Sequence, residues 1–211
     1  MATKSDFWDE RYSVSKYVYG EHPNSYLKEQ LKNLPVGSIL FVGEGEGRNG
    51  VYAAKLGWKV SAYDLSVEGK KKAERLARKH NVQVDYKVGE LHELDYQKEQ
   101  FDAIAVIFTH FHSKLRASMH TELSGYLRPG GYIIMEVFSK KQIDYQVEGD
   151  SGGGPKNIDI LYTLEDIQSD FENFKFVELQ ETKKYLMEGD HHNGLSSVIR
   201  FVGIKTEKQN S

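Results

Sequence analysis

"ILFVGEGEGRNG", residues 39–50, decides the fold. Four apolar residues run into glycines at Gly43, Gly45, Gly47 and Gly50, with Glu44 and Glu46 set between them. An apolar strand that ends in a glycine-rich turn and continues as a helix brings backbone N–H groups close to a ligand. Such a turn usually cradles a phosphate, and a carboxylate beside a phosphate repels it. The two glutamates therefore ask what kind of ligand, if any, they face.

The same rhythm continues outward from this stretch. "SILFV" (38–42) reads as a buried strand, and "NGVYAAKLG" (49–57) as a helix stopped by Gly57 in a left-handed cap. "WKVSAYD" (58–64), "VQVDYKV" (82–88), "FDAIAVIF" (101–108) and "GYIIMEVF" (131–138) read as further strands. Ser66 caps a helix to about Lys79, whose apolar face is Val67, Ala73, Leu76 and Ala77. "SKLRASMHTELSGYL" (113–127) is a helix with a stripe of Leu115, Met119, Leu123 and Leu127. Alternation of this kind winds a parallel sheet by right-handed crossovers. Beyond Ser139 the chain is polar and glycine-rich to about Tyr162, which is long for a connector and reads as a substrate loop. A Thr163–x–x–Asp166 capping box opens the next helix, and two long strands joined by "MEGDHHNG" (187–194) form a hairpin. The expectation is a single α/β domain over 1–211, a doubly wound, mostly parallel, Rossmann-like seven-stranded sheet with a C-terminal antiparallel hairpin. Its parts are an N-terminal lid and helix (1–35), a ligand-binding core (36–138), a substrate loop (139–162) and the C-terminal helix and hairpin (163–205). The tail "EKQNS" is expected to fray.

Bulk properties narrow the function. The chain has 211 residues and a net charge of −3, so it has no general attraction to phosphate backbones or anionic lipid. It has no cysteine, which excludes disulfides, zinc–thiolate sites and a cysteine nucleophile. The start "MATKSDFWDERY" carries no apolar segment of signal-peptide length, and no run approaches a membrane span. The expected location is the cytoplasm, with nucleic acid and membrane disfavoured as partners and the oligomeric state not given by the sequence.

Two readings of the turn compete. Gly45-x-Gly47-x-x-Gly50 fits the dinucleotide fingerprint, with Asp64 near the distance of a ribose-binding acid. In that fingerprint, however, the first glycine follows directly on the strand, and here that glycine is Gly43. Aligned on Gly43, the stretch reads strand–Gly-x-Gly-x-Gly. This turn, Asp64 after the second strand, "GEL" (89–91) after the third and "LRPGG" (127–131) before the fifth resemble the class I methyltransferases that use S-adenosylmethionine (AdoMet). The resemblance covers nearly the whole chain. It implies that AdoMet is the cofactor, that Asp64 takes both ribose hydroxyls, and that Glu90 and Leu91 lie by the adenine. Gly43, Glu44, Gly45, Gly47, Leu65 and Phe108 would complete the cofactor site. AdoMet carries a sulfonium and an ammonium, so negative partners at Glu44 and Glu46 suit it, although both side chains could equally face solvent. Phe41 is a departure, since many members carry an acid in the first strand.

"FWDERY", "YGEHPN" (19–24) and "GEGEGRN" are similar to the branch of tellurite-resistance and thiol methyltransferases, in which an aromatic N-terminal segment folds over cofactor and substrate. That implies a lid from Trp8, Tyr12, Tyr17 and Tyr19, unless these rings simply pack on the domain. Arg11 or Arg48 would meet the cofactor carboxylate, unless they are surface residues. Four of the eight histidines, His110, His112, His191 and His192, fall in segments that converge at the carboxyl ends of the strands, and each is a candidate general base. No metal is expected, because their spacing with Glu188 matches no strong signature. The implied function is methyl transfer to a small-molecule acceptor, a thiol or chalcogen oxyanion, by direct displacement. The alternatives are a non-catalytic AdoMet-binding partner protein and an RNA or protein methyltransferase, the latter resting only on the basic helix 69–80.

Overall fold

Ile39 to Val42 are buried without alternation, as a strand covered on both faces requires. This strand, β1 (Ser38–Val42), lies at the middle of the sheet in the computed structural model, which describes residues 3–148 and 152–207. The other strands are β2 (Lys59–Asp64), β3 (Asp85–Val88), β4 (Phe101–Ile107), β5 (Leu127–Phe138), β6 (Phe174–Met187) and β7 (Asn193–Lys205), in the order β3-β2-β1-β4-β5-β7-β6. The first five are mutually parallel, and β7 runs antiparallel to both β5 and β6. The seven-stranded, doubly wound sheet with its C-terminal hairpin is as expected. The chain leaves β1 toward β2 and returns at β4 on its other side, so the crevice of the switch point opens between the carboxyl ends of β1 and β4.

Helices α1 (Lys4–Tyr12), α2 (Ser25–Asn33), α3 (Arg48–Lys55), α4 (Val67–Lys79), α5 (Ser113–Tyr126), α6 (Gln142–Glu148) and α7 (Leu164–Asp170) flank the sheet. Tyr26, Leu27 and Leu31 of α2 bury with Ile39 and Phe41, while Leu123 of α5 and Ile167 of α7 bury with Leu40 and Val42 on the opposite face. Ser66 caps α4, Gly57 follows α3 at φ +94°, and Thr163 and Asp166 close their capping box, all as the sequence indicates.

Some details differ. Helix α5 ends at Tyr126, before Leu127, because Arg128 precedes Pro129 and is held extended, so β5 begins early. Of the expected α5 stripe, Met119, Leu123 and Leu127 pack on the core, and Leu115, in the first turn, is exposed; His120 is buried beside them. Val67 is also exposed, and Lys72 takes a buried place on α4 through an ion pair. Segment 139–162 contains α6 as well as loop. Of the tail, residues 208–211 lie outside the described residues.

Candidate functional site

The glycine turn is left-handed at Gly43, Gly45 and Gly47, with φ of +61°, +60° and +89°. A side chain there would be strained, and it would also collide: a Cβ on Gly45 would lie 2.6 Å from the Tyr12 hydroxyl, and one on Gly43 2.5 Å from Thr109 Oγ1. The two glutamates of the turn are both buried, and both serve the protein. Glu44 Oε1 accepts from the N–H groups of Asn49 (2.9 Å) and Gly50 (2.6 Å), satisfying the first turn of α3, whose N-cap Gly47 has no side chain to do so. Burial pushes its carboxyl up to about 8, against the pull of those N–H groups and Arg48. Glu46 accepts from the N–H groups of Val18 (3.1 Å) and Tyr19 (3.2 Å) and pairs with Lys72 Nζ at 2.7 Å. Neither faces solvent. Glu46 is the clasp of the N-terminal segment.

That segment covers the carboxyl ends of β1 and β2. Asp9 accepts from Ser66 Oγ and Glu68 N, fixing α1 on the start of α4. Trp8 stacks on Tyr12 at 5.5 Å, and Tyr12 meets Tyr19 edge-on at 6.4 Å. The Tyr17 ring instead sits under Lys72 and Arg75, outside this row. Arg11 donates to the Tyr19 hydroxyl at 3.1 Å and lies over the Phe7 ring. Arg48 is buried between Tyr19 O (3.3 Å) and Glu188 (2.8 Å), so its charge is already answered.

Asp64, at the end of β2, is the acid of the site without a cation. Oδ2 accepts from Gly45 N and Oδ1 from Ser66 N, each at 2.9 Å, and no ion pair reaches it among the described residues. Burial raises its carboxyl to about 6 despite these N–H groups. Each oxygen keeps a lone pair, and two neighbouring hydroxyls would fill them, so the donor set fits a ribose. Leu65 beside it is half-buried, Glu90 is exposed at the head of a short turn, and Leu91 packs into the core. Phe108, at the end of β4, holds φ +53°, an uncommon conformation for a bulky residue that marks a constrained position.

The four histidines separate in role. His110 is spent on the backbone: Phe138 N donates to Nε2 at 2.9 Å, which leaves the proton on Nδ1, 3.1 Å from Phe108 O. Burial lowers its pKa to about 3. It therefore splices the ends of β4 and β5 and has no nitrogen left for a proton in transit. Its resonances should not titrate between pH 8 and 5 by NMR, and His110→Ala should cost about 1–3 kcal/mol by stranding Phe138 N–H. His112 caps α5 through Nδ1. His191 is exposed at the hairpin tip, 6.0 Å from the Tyr19 ring. His192 is enclosed, with ring distances of 4.6 Å to Tyr19, 4.4 Å to Phe108 and 5.5 Å to Phe138. Among the described residues its Nδ1 has no hydrogen-bond partner, and it lies 4.0 Å from Glu188 Oε2. Burial pushes the Glu188 carboxyl up, but His192, Arg48 and Lys184 together hold it at about 2. Burial likewise lowers the His192 pKa, so the ring is neutral near pH 7.

Sequence reading missed two groups. One sets Glu188, weighed above only as a metal ligand, with Asn24: Asn24 Nδ2 reaches both Glu136 (2.6 Å) and Glu188 (3.0 Å), and Arg200 and Lys184 complete the buried cluster under the hairpin. The other joins Arg116, His120, Tyr162 and Asp170, with His120 Nδ1 2.8 Å from Asp170. The only signal for it was an Arg and a His spaced i, i+4 on α5.

Residues 39–131 match the family model of the methyltransferase domain. No curated protein sequence matches the chain. Among solved structures, the chain is similar to one describing conversion of a disulfide bond into a thioacetal group during echinomycin biosynthesis, at 16% identity over 99% of this chain and 95% of the other, with a TM-score of 0.77. It is similar to TehB from Haemophilus influenzae at 16% identity, over 97% and 68%, TM-score 0.69. The third is magnesium protoporphyrin IX methyltransferase from Synechocystis PCC 6803 with bound S-adenosylhomocysteine, at 14% identity, over 98% and 89%, TM-score 0.65. At these identities the likeness establishes the fold.

Proposed function

We propose that this methyltransferase, which takes AdoMet as its cofactor, acts in the cytoplasm on a small, soft nucleophile, a thiol or a chalcogen oxyanion. The observation that carries this is the enclosure of His192 by Tyr19, Phe108 and Phe138 at the mouth of the strand crevice. Such a wall suits an acceptor that presents a polarizable chalcogen lone pair and leaves little room for a polymer. One structural neighbour is described by chemistry on a disulfide, which fits the same acceptor class.

Asp64 and the turn at Gly43, Gly45 and Gly47 hold the cofactor, with Leu65, Glu90 and Phe108 beside its adenosine, Leu91 backing them from the core, and Trp8, Tyr12 and Tyr19 as the cover. The chemistry AdoMet would supply when bound there is a single displacement at the sulfonium methyl, with S-adenosylhomocysteine as the leaving group. For an acceptor that enters protonated, His192 takes the proton, since its imidazole is neutral and Glu188 faces Nδ1. The protein otherwise contributes alignment and exclusion of water.

The test is a mass-spectrometric assay of AdoMet turnover with thiols, selenite and tellurite, run beside RNA. Methylated small acceptors are expected. His192→Ala should slow kcat for neutral thiols by about 100-fold or more while AdoMet affinity holds within about twofold. Turnover with RNA alone would favour the nucleic-acid reading, and AdoMet binding without any turnover the non-catalytic one.

A further inference from the structure

Strand β6 is the edge of the sheet: β7 pairs along its whole length on one side, and among the described residues no strand pairs on the other. An edge of 14 residues is long, and it carries the largest exposed apolar side chains of the hairpin, Val177, Tyr185 and Met187. Native edges of this length are normally blunted, since their free N–H and C=O groups recruit another strand. Here the charges do not blunt it uniformly. Glu181 and Lys183 flank Thr182, one of each sign, and the apolar residues lie beyond them on both sides.

We infer that β6 pairs antiparallel with β6 of a second copy of this chain, about a two-fold axis at Thr182. An antiparallel edge pair related by an axis normal to the sheet must place residues of the same face opposite one another. With Thr182 on the axis, Glu181 of each copy faces Lys183 of the other, twice. Leu179 faces Tyr185, and Val177, at the bulge between Phe176 and Glu178, comes level with the exposed Met187. Moving the axis to Glu181 or Lys183 would instead set like charges face to face, which destabilises a pair. The register at Thr182 is thus selected by charge, and the exposed apolar residues find partners in it.

Neighbouring groups are compatible with this. Lys141 already pairs with Glu181 from before α6, and Lys183 Nζ lies 5.7 Å from the Tyr145 ring centroid. Both come from the face of the sheet, so the edge itself stays open. Tyr26 and Gln30 hold Glu178 from the other face. The proposed dimer is a continuous sheet of two domains.

The chain has no cysteine, so a single introduced one reports the register directly. Light scattering over a dilution series should show a dimer for the unaltered protein. Thr182→Cys should form a covalent dimer under mild oxidation, because it faces itself, whereas Tyr185→Cys, which faces Leu179, should not. Lys183→Glu should weaken the dimer by about tenfold or more by setting Glu181 against a second carboxylate, with the fold checked by circular dichroism. A monomer at every concentration overturns the inference. So does cross-linking of Tyr185→Cys as readily as Thr182→Cys, or a dimer indifferent to Lys183→Glu.

Discussion

Asp64→Asn should lower AdoMet affinity by about 100-fold, measured by calorimetric titration at pH 7.5. The reason lies in the acceptor count. Both carboxylate oxygens accept from backbone N–H, from Gly45 and Ser66, and each has one lone pair left for a ligand hydroxyl. Asparagine replaces one acceptor by an NH2 group, which then faces an N–H and offers the ligand a donor where it needs an acceptor. The unaltered protein should show a matching pH dependence. Its Asp64 titrates at about 6, so affinity should fall as pH drops below that value, and the asparagine variant should be flat across the same range. The sign for stability is the reverse. A carboxyl raised above its ordinary 3.8 is protonated more readily in the folded state, so its ionisation costs the ligand-free fold stability as pH rises from about 4 to 6, on the order of 3 kcal/mol. A group that costs the empty fold and gains partners from a ligand is a mark of a binding site. Unchanged affinity in Asp64→Asn would remove Asp64 from the site and with it the reading of the turn.

Glu46→Ala should cost about 3–5 kcal/mol in urea unfolding, the largest stability loss expected of any single substitution in the turn. It strands Lys72 Nζ in a buried place and leaves the N–H groups of Val18 and Tyr19 without an acceptor. Among the described residues Lys72 would keep the Lys16 carbonyl, at 2.6 Å, and the face of the Tyr17 ring. Because the stranded charge carries most of the cost, Glu46→Gln combined with Lys72→Met should recover much of it. Trypsin should cut Glu46→Ala at Lys16 faster than the unaltered protein, since the strap is no longer clasped. Equal cleavage and equal stability would mean that α1 alone holds the segment down.

The fold was legible because buried parallel strands announce themselves locally: Ile39–Val42 and Ala103–Ile107 are continuous apolar runs, each followed by a helical pattern. Even the hairpin and its tip could be read from "MEGDHHNG". The roles of Glu44 and Glu46 could not. Local sequence says that a carboxylate follows a strand, but the partners of Glu46 are 26 to 28 residues away along the chain. The same holds for the histidines. His110 looked like a base by its place after β4, yet a backbone N–H from β5 takes the nitrogen that a base needs. His120 was passed over because it sits inside a helix, and its partner Asp170 is 50 residues away along the chain. Helix α6 was read as loop because its seven residues are too few to show a period.

The position of Trp8 has an optical consequence. The chain has two tryptophans, and they report on different places. Trp58 is buried in the core cluster that holds Ala53 and Ile39 and Phe41 of β1. Trp8 is half-exposed on α1, stacked on Tyr12, whose hydroxyl points at Gly45. Emission from Trp58 therefore reports on the core, and emission from Trp8 registers whether the cover lies on the turn. A Trp58→Phe variant would leave a single tryptophan, on α1, and stopped-flow fluorescence could then follow that segment as AdoMet is added, without any added dye.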